Sequence, residues 1–320
     1  KRRKPNWYGR IVDNINRSNN PTNKAMLLRH VRDAMLRVVL FSTFYAHDDD
    51  CRLGFYATPR LRDPLLFPTE RLPFGDRGID PMSATEEAMF NGLVTSDQFF
   101  AGYAGGAPFA AWNQDEKWNQ KLLMQFSDLD FYILVANYPF ALSPGQFVRP
   151  FVATLYYKIQ RLLGVDFRRD AHWAVNVERV AGHYPFHVHS GDILIIVNLT
   201  VTYRSVVVMP PTQIILVNLH TALAHLKHVV HHFDLTPCQI WYEAPSVYKV
   251  ATEQALQDIF DCRIRLVRPV RNCTKAQVKS ALRYFKYMDR GLRVDEPMDA
   301  IYAALVLTVA KRIPGAVPQP

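Results

Sequence analysis

Asp128 and Asp130 stand one residue apart inside the apolar run Phe126 to Ile133, FSDLDFYI. In an extended strand, side chains at i and i+2 share a face, so the two carboxylates project together, about 7 Å apart along the chain. Hard divalent cations such as Mg²⁺ take oxygen ligands and are commonly held by one or two carboxylates together with substrate phosphates. The apolar flanks on both sides argue against an ordinary solvated strand face. The pair therefore reads as a clamp for a metal-bound triphosphate.

Two further stretches extend this reading. Upstream, Ala104-Gly105-Gly106-Ala107 sits at an expected turn-to-helix junction, where absent side chains let backbone N–H groups approach phosphate oxygens. Downstream, Phe233-Asp234-Leu235 places a third acid at the start of what reads as another apolar strand, HHFDLTPCQIWYEA. Asp128, Asp130 and Asp234 are thus the expected metal ligands and catalytic acids. A basic series follows: Lys275, Lys279, Arg283, Lys286 and Arg290 recur at about helical spacing, so one stripe could face a triphosphate or a nucleic-acid backbone. A solvated face accounts for the same spacing, and core packing accounts more economically than base stacking for Tyr284 and Tyr287 among these residues.

Helices and strands must position these groups. The 320 residues, 49% of them hydrophobic, suffice for one large or two ordinary domains. Residues 1 to about 20 are polar and basic. A helix is expected from Pro21, and the proline-rich stretch Asp48 to Met82 reads as a long arm. SATEEAMFNGLV has the capping residue and apolar positions of a short helix. FFAGYAGGAPFAAW reads as a glycine turn entering a small-residue helix, and FSDLDFYIL reads as a strand. Helices are expected over Gln146 to Leu163 and from Pro211 or later through Leu219 to His228. ILIIVNLTV and YRSVVVMPPTQIILVNL read as β-rich. The last helical part spans Thr274 to Met288 and Glu296 to Lys311. Interleaved helices and strands without an internal repeat make the class α/β or α+β.

The three-part signature of glycine turn, D-x-D strand and later single acid resembles the nucleotidyltransferase superfamily of the polymerase β type. The matching residues are AGGAPFAAW, FSDLDFYI and HHFDLTPCQIWYEA. More narrowly, DLTPCQIWYE, the VxxVATEQALQ helix and LRYFKYMDRGLRV are similar to a group of such proteins from large DNA viruses and fungi. Its K-Y-x-x-R-G element is here Lys286 to Gly291. The likeness covers Phe99 to Val294. It implies a nucleotidyltransferase-like mixed sheet with flanking helices over 83–262, an N-terminal tail and arm over 1–82, and a basic helical part over 263–320. It also implies Mg²⁺ or Mn²⁺ as cofactor and an NTP as substrate, with Gly105, Gly106, Lys279, Arg283, Lys286 and Arg290 holding the nucleotide. Asp234 is then the candidate to activate the acceptor. Between Gly106 and Asp128 lie 21 residues, more than the family's usual gap, and Ala107 replaces the usual hydroxyl residue.

Charge and cysteine usage bound the partners. Thirty-eight Lys and Arg against 29 Asp and Glu give +9, which suits an anionic partner such as nucleic acid. A proline-rich arm and basic tail also suit a protein assembly, a viral particle among them. Four scattered cysteines without a CxxC pair fit a reducing, intracellular setting, cytoplasmic, nuclear or virion-associated. No apolar run reaches the roughly 18 residues of a membrane span, no signal-peptide core is seen, and Lys1 in place of Met suits a fragment or processed product. His187, His189 and Asp192 offer a rival transition-metal site, and Asp48 to Asp50 a solvated acidic loop.

Overall fold

The computed structural model describes residues 82–94, 96–115, 128–163, 166–167, 169–180, 191–207, 211–244, 247–267, 283–288 and 290–294. The N-terminal tail, the helix from Pro21, the arm with Asp48 to Asp50, His187, His189 and the segments expected to be helical over 274–282 and 296–311 lie outside these residues.

Helix α1, Ala84–Val94, begins where the sequence calls for it. The Ser83 hydroxyl accepts from the Glu86 N–H at 3.4 Å, and the Glu86 carboxylate accepts from the Ser83 N–H at 2.7 Å, a reciprocal cap. Helix α3, Pro144–Leu163, opens the same way, with Ser143 and Gln146 exchanging bonds at 3.1 and 3.3 Å and proline at its first position. Between them come β1 (Phe99–Tyr103), α2 (Gly106–Asp115) and β2 (Leu129–Ala136). The residues FFAGY thus form a strand of their own rather than part of the glycine turn. Short, aromatic and interrupted by glycine, they carry little periodicity, and pairing with β2 decides their state.

The remaining sheet strands are β3 (Trp173–Arg179), β4 (Gly191–Tyr203), β5 (Val206–Val207) and β6 (Thr212–Leu219). The main sheet runs β1-β2-β6-β4-β3, with β5 beside β4. Only β2 and β6 are parallel, so the sheet is mixed and the class is mixed α and β. No helix begins at Pro211. The run TQIILVNL is strand β6, and helix forms only over α4, Lys227–Val230, because burial between β2 and β4 favours branched residues in extended backbone.

The two faces of the sheet are covered differently. Phe131, Ile133 and Val135 of β2 point to the α1 and α3 side, where Phe151 lies 6.4 Å from Phe131 and 5.9 Å from Phe99, ring centre to ring centre. On the other face Tyr132 meets Phe233 at 5.8 Å and Phe100 meets His225 at 5.0 Å. This second cover comprises α4, a 3₁₀ turn (Thr236–Cys238), β7 (Ile240–Ala244), β8 (Val247–Val250) and α5 (Glu253–Phe260). Strands β9 (Arg263–Ile264) and β10 (Arg293–Val294) pair in parallel, and Tyr284, Tyr287 and Leu292 join the same buried core. Among the described residues no helix is long and apolar enough to cross a membrane.

Phe151 is fully buried among four aromatic rings. Truncating it to alanine is expected to remove about 3–5 kcal/mol of stability. Urea denaturation of the Phe151→Ala protein checks this.

Candidate functional site

The head of β2 carries the acids. Asp128 immediately precedes the strand and Asp130 is its second residue, on the face turned toward the second cover. Beside it, β1 ends and the Ala104 N–H donates to the Asp130 carbonyl at 3.2 Å. The chain then turns at Gly105, whose φ of +89° lies in the region that favours glycine, and enters α2. A Cβ on Gly105 would sit 3.5 Å from Phe233 and 4.0 Å from Asp130 Oδ2, so the carboxylate lies against the turn. The Gly105 N–H donates to the Ile240 carbonyl at 2.9 Å, which gives this glycine a conformational part and leaves its amide engaged. Gly106 seats a neighbour: a Cβ there would stand 2.7 Å from the Tyr287 hydroxyl. The amides of Gly106 and Ala107 have no acceptor among the described residues, which leaves the α2 N-terminus as the anion-attracting element of the turn.

Asp130 is held against its charge. Its Oδ1 is sealed from solvent and has no hydrogen-bond partner. Burial, then the neighbouring Asp128 carboxylate, pushes its pKa up to about 8, although Arg283 and Lys286 pull the other way. A bare buried carboxylate costs too much to ionise, so the proton stays until a cation offsets the charge. The orphaned oxygen and the adjacent Asp128 fit one hard divalent ion.

Asp234 is placed differently from the sequence expectation. It lies in the turn after α4, not on a strand beside β2, whose neighbours are β1 and β6. The proline in DLTPC favours the 3₁₀ turn Thr236–Cys238, and the strand starts only at Ile240. Asp234 Oδ1 accepts from Arg283 Nη1 at 2.7 Å, and the pair is largely withdrawn from water. Among the described residues no group of three His, Cys, Asp or Glu side chains that could hold a metal is seen.

The basic element delivers its residues unevenly. Lys279 lies outside the described residues. Arg283 lies on the helical segment 283–288 and also reaches Cys238 Sγ at 3.6 Å. Burial opposes its charge, but Cys238, Asp234 and Tyr287 outweigh this and hold its pKa above the ordinary arginine value. Lys286 is exposed at the surface, yet desolvation with the neighbouring Arg290 lowers its pKa against the pull of Asp128. Arg290 is buried, its guanidinium 4.9 Å from the centre of the Tyr287 ring. It braces the tyrosine rather than lining the cleft. Tyr284 and Tyr287 are core residues, as packing suggested, and Tyr287 also bonds Cys238 at 3.2 Å. Cys238 and Phe233 escaped the sequence reading, because a lone cysteine and an aromatic carry no spacing signal. Of the rival metal set only Asp192 is described, and it is exposed and paired with His220 at 3.0 Å.

No protein-family model matches the chain, and no curated protein matches it.

The raised pKa of Asp130 has a sign. Between about pH 4 and 8 the folded protein binds more protons at this position than the unfolded chain, so stability falls as pH rises through that window and levels off above it. In EDTA, the stability advantage of Asp130→Asn over the parent should grow from pH 4 to pH 8. Denaturant titrations at several pH values check this, and a constant difference would contradict it.

Proposed function

We propose that this chain is a nucleotidyltransferase that moves a nucleoside monophosphate from an NTP to an acceptor hydroxyl, most consistently the end of a polynucleotide. What carries the reading is the union of three parts around one point: the Asp128 and Asp130 carboxylates at the head of β2, the Gly105 turn with the α2 N-terminus, and Arg283 with Lys286 across from them. The mixed sheet with its D-x-D strand beside a glycine turn accords with a nucleotidyltransferase-like fold.

In this reading Asp128 and Asp130 hold Mg²⁺ or Mn²⁺, which supplies charge neutralisation at the phosphates when bound. Arg283, Lys286 and the α2 N-terminus hold the triphosphate. The acceptor oxygen bonds to the α-phosphorus as the bond to the bridging oxygen breaks. Pyrophosphate leaves with the electron pair, and the acceptor's proton passes to solvent. The chain's part is mainly positioning and charge complementarity.

A second reading is a catalytically silent protein of the same fold with a binding or structural part in an assembly. The Asp234–Arg283 pair favours it, since it occupies a cation that an active site would offer to substrate.

With labelled NTP and Mg²⁺ or Mn²⁺, the parent should label an oligonucleotide or itself, and Asp128→Ala should lose at least about a hundredfold of that label while keeping its fold. An NTP-dependent rise in Tm without any label in the parent would select the silent reading. Full labelling by Asp128→Ala would overturn the assignment of the carboxylates.

A further inference from the structure

The face of the sheet that carries Asp130 does not end at β2. Strand register sets Asp130 opposite Gln213 of β6, Gln213 opposite Asn198 of β4, and Asn198 opposite Glu178 of β3. Directly paired residues share a face, and strands lie about 4.8 Å apart, so these four form one row about 14 Å long. A parallel row lies beside it: Thr200 of β4 is opposite Asn176 of β3, and the Pro211 carbonyl accepts from the Leu129 N–H next to Asp128. One position further along β2 the character changes, for Tyr132, Ile215 and Ile196 are apolar and buried beneath the second cover. The polar rows therefore follow the rim of that cover, and they begin at the two acids.

Their side chains are of one kind. Gln213, Asn198 and Thr200 are half-buried, Asn176 and Glu178 are exposed, and no lysine or arginine stands in either row. Asn198 Oδ1, like Asp130 Oδ1, is sealed from solvent without a hydrogen-bond partner, and the two flank Gln213 in the same row. The opposite face of the same strands is apolar, with Val197, Leu199 and Val201 buried, so the strip is a stable floor.

Resting on the nucleotidyltransferase reading, we propose that the strip Gln213, Asn198, Thr200 and Asn176 binds the uncharged, hydroxyl-bearing end of the acceptor, a ribose or similar polyol. The cationic groups Arg283 and Lys286 come from the segment 283–288, and the strip is made by β6, β4 and β3, so the two meet at Asp130 from different elements. Phosphates go to the cationic side. Neutral amides and a hydroxyl offer donors and acceptors to hydroxyl groups, and Glu178 repels a phosphate backbone laid along the rows. The two substrates of a transfer reaction then reach the acids from opposite directions, as an in-line displacement requires.

The same hydroxylated ring occurs in a free nucleoside and at the 3′ end of an RNA, so both are probes. Adenosine and hexaadenylate are titrated calorimetrically into the full chain with Mg²⁺ present, using the parent, Asn198→Ala and the near-isosteric Thr200→Val. At least one probe should bind the parent. Each substitution should weaken that binding about tenfold, the loss of about one good hydrogen bond, without altering the rise in Tm given by Mg²⁺ and ATP. Binding of adenosine alone identifies a small acceptor, and binding of hexaadenylate alone a polynucleotide end. Failure of both probes to bind the parent, or equal binding by both variants, overturns the proposal. Should ATP leave Tm unchanged while binding still depends on the strip, the nucleotide reading falls and the strip stands.

Discussion

The structure turns on a carboxylate that is buried before it has a partner. Asp130 sits where β1, β2 and the Gly105 turn converge, with Oδ1 cut off from water and unbonded. Placing an acid there destabilises the ionised form, and the fold tolerates it by keeping the proton at neutral pH. The surrounding elements are apolar and tightly packed: Leu129, Phe131, Tyr132 and Ile133 are all buried. Carboxylates perturbed by burial and a like-charged neighbour cluster at functional sites.

The groups around Asp130 balance its charge without neutralising it directly. Arg283 is within electrostatic reach, yet its guanidinium is committed to Asp234, and Arg290 is committed to the Tyr287 ring. Tyr287 in turn bonds Cys238 and seats on Gly106, so the segment 283–290 is fastened over the turn by several contacts at once. A phosphate arriving at the α2 N-terminus would compete with Asp234 for Arg283. The glycine pair serves packing: Gly105 takes the positive φ of the turn and Gly106 seats Tyr287.

Local signals in the sequence were strong where chemistry and backbone coincide. The cap Ser83, the helix over Gln146 to Leu163 and the apolar strand through Asp130 were legible, because capping residues and periodicity act within a few positions, whereas Asp128 lies just before the strand rather than in it. Strand β1 was not, and over β6 the β-rich reading of TQIILVNL stood beside a helix expected from Pro211 or later; pairing with β2 across long separations settles both. The site divides the same way. Asp128, Asp130 and the turn at Gly105 could be read from spacing, whereas the removal of Asp234 into an ion pair depends on Arg283, 49 residues away. The row from Asp130 through Gln213 and Asn198 to Glu178 depends on strand order alone, which no local pattern reveals.

In the proposed function Asp130 is a cation ligand beside a triphosphate. Electron paramagnetic resonance of Mn²⁺ bound to the full chain in the presence of ATP, at pH 8, tests it most directly. A tightly held ion is expected, with a signal that shows coupling to ATP phosphorus and an occupancy that collapses in Asp130→Asn. Undiminished Mn²⁺ occupancy in that variant, or no protein-bound ion in the parent, would contradict it.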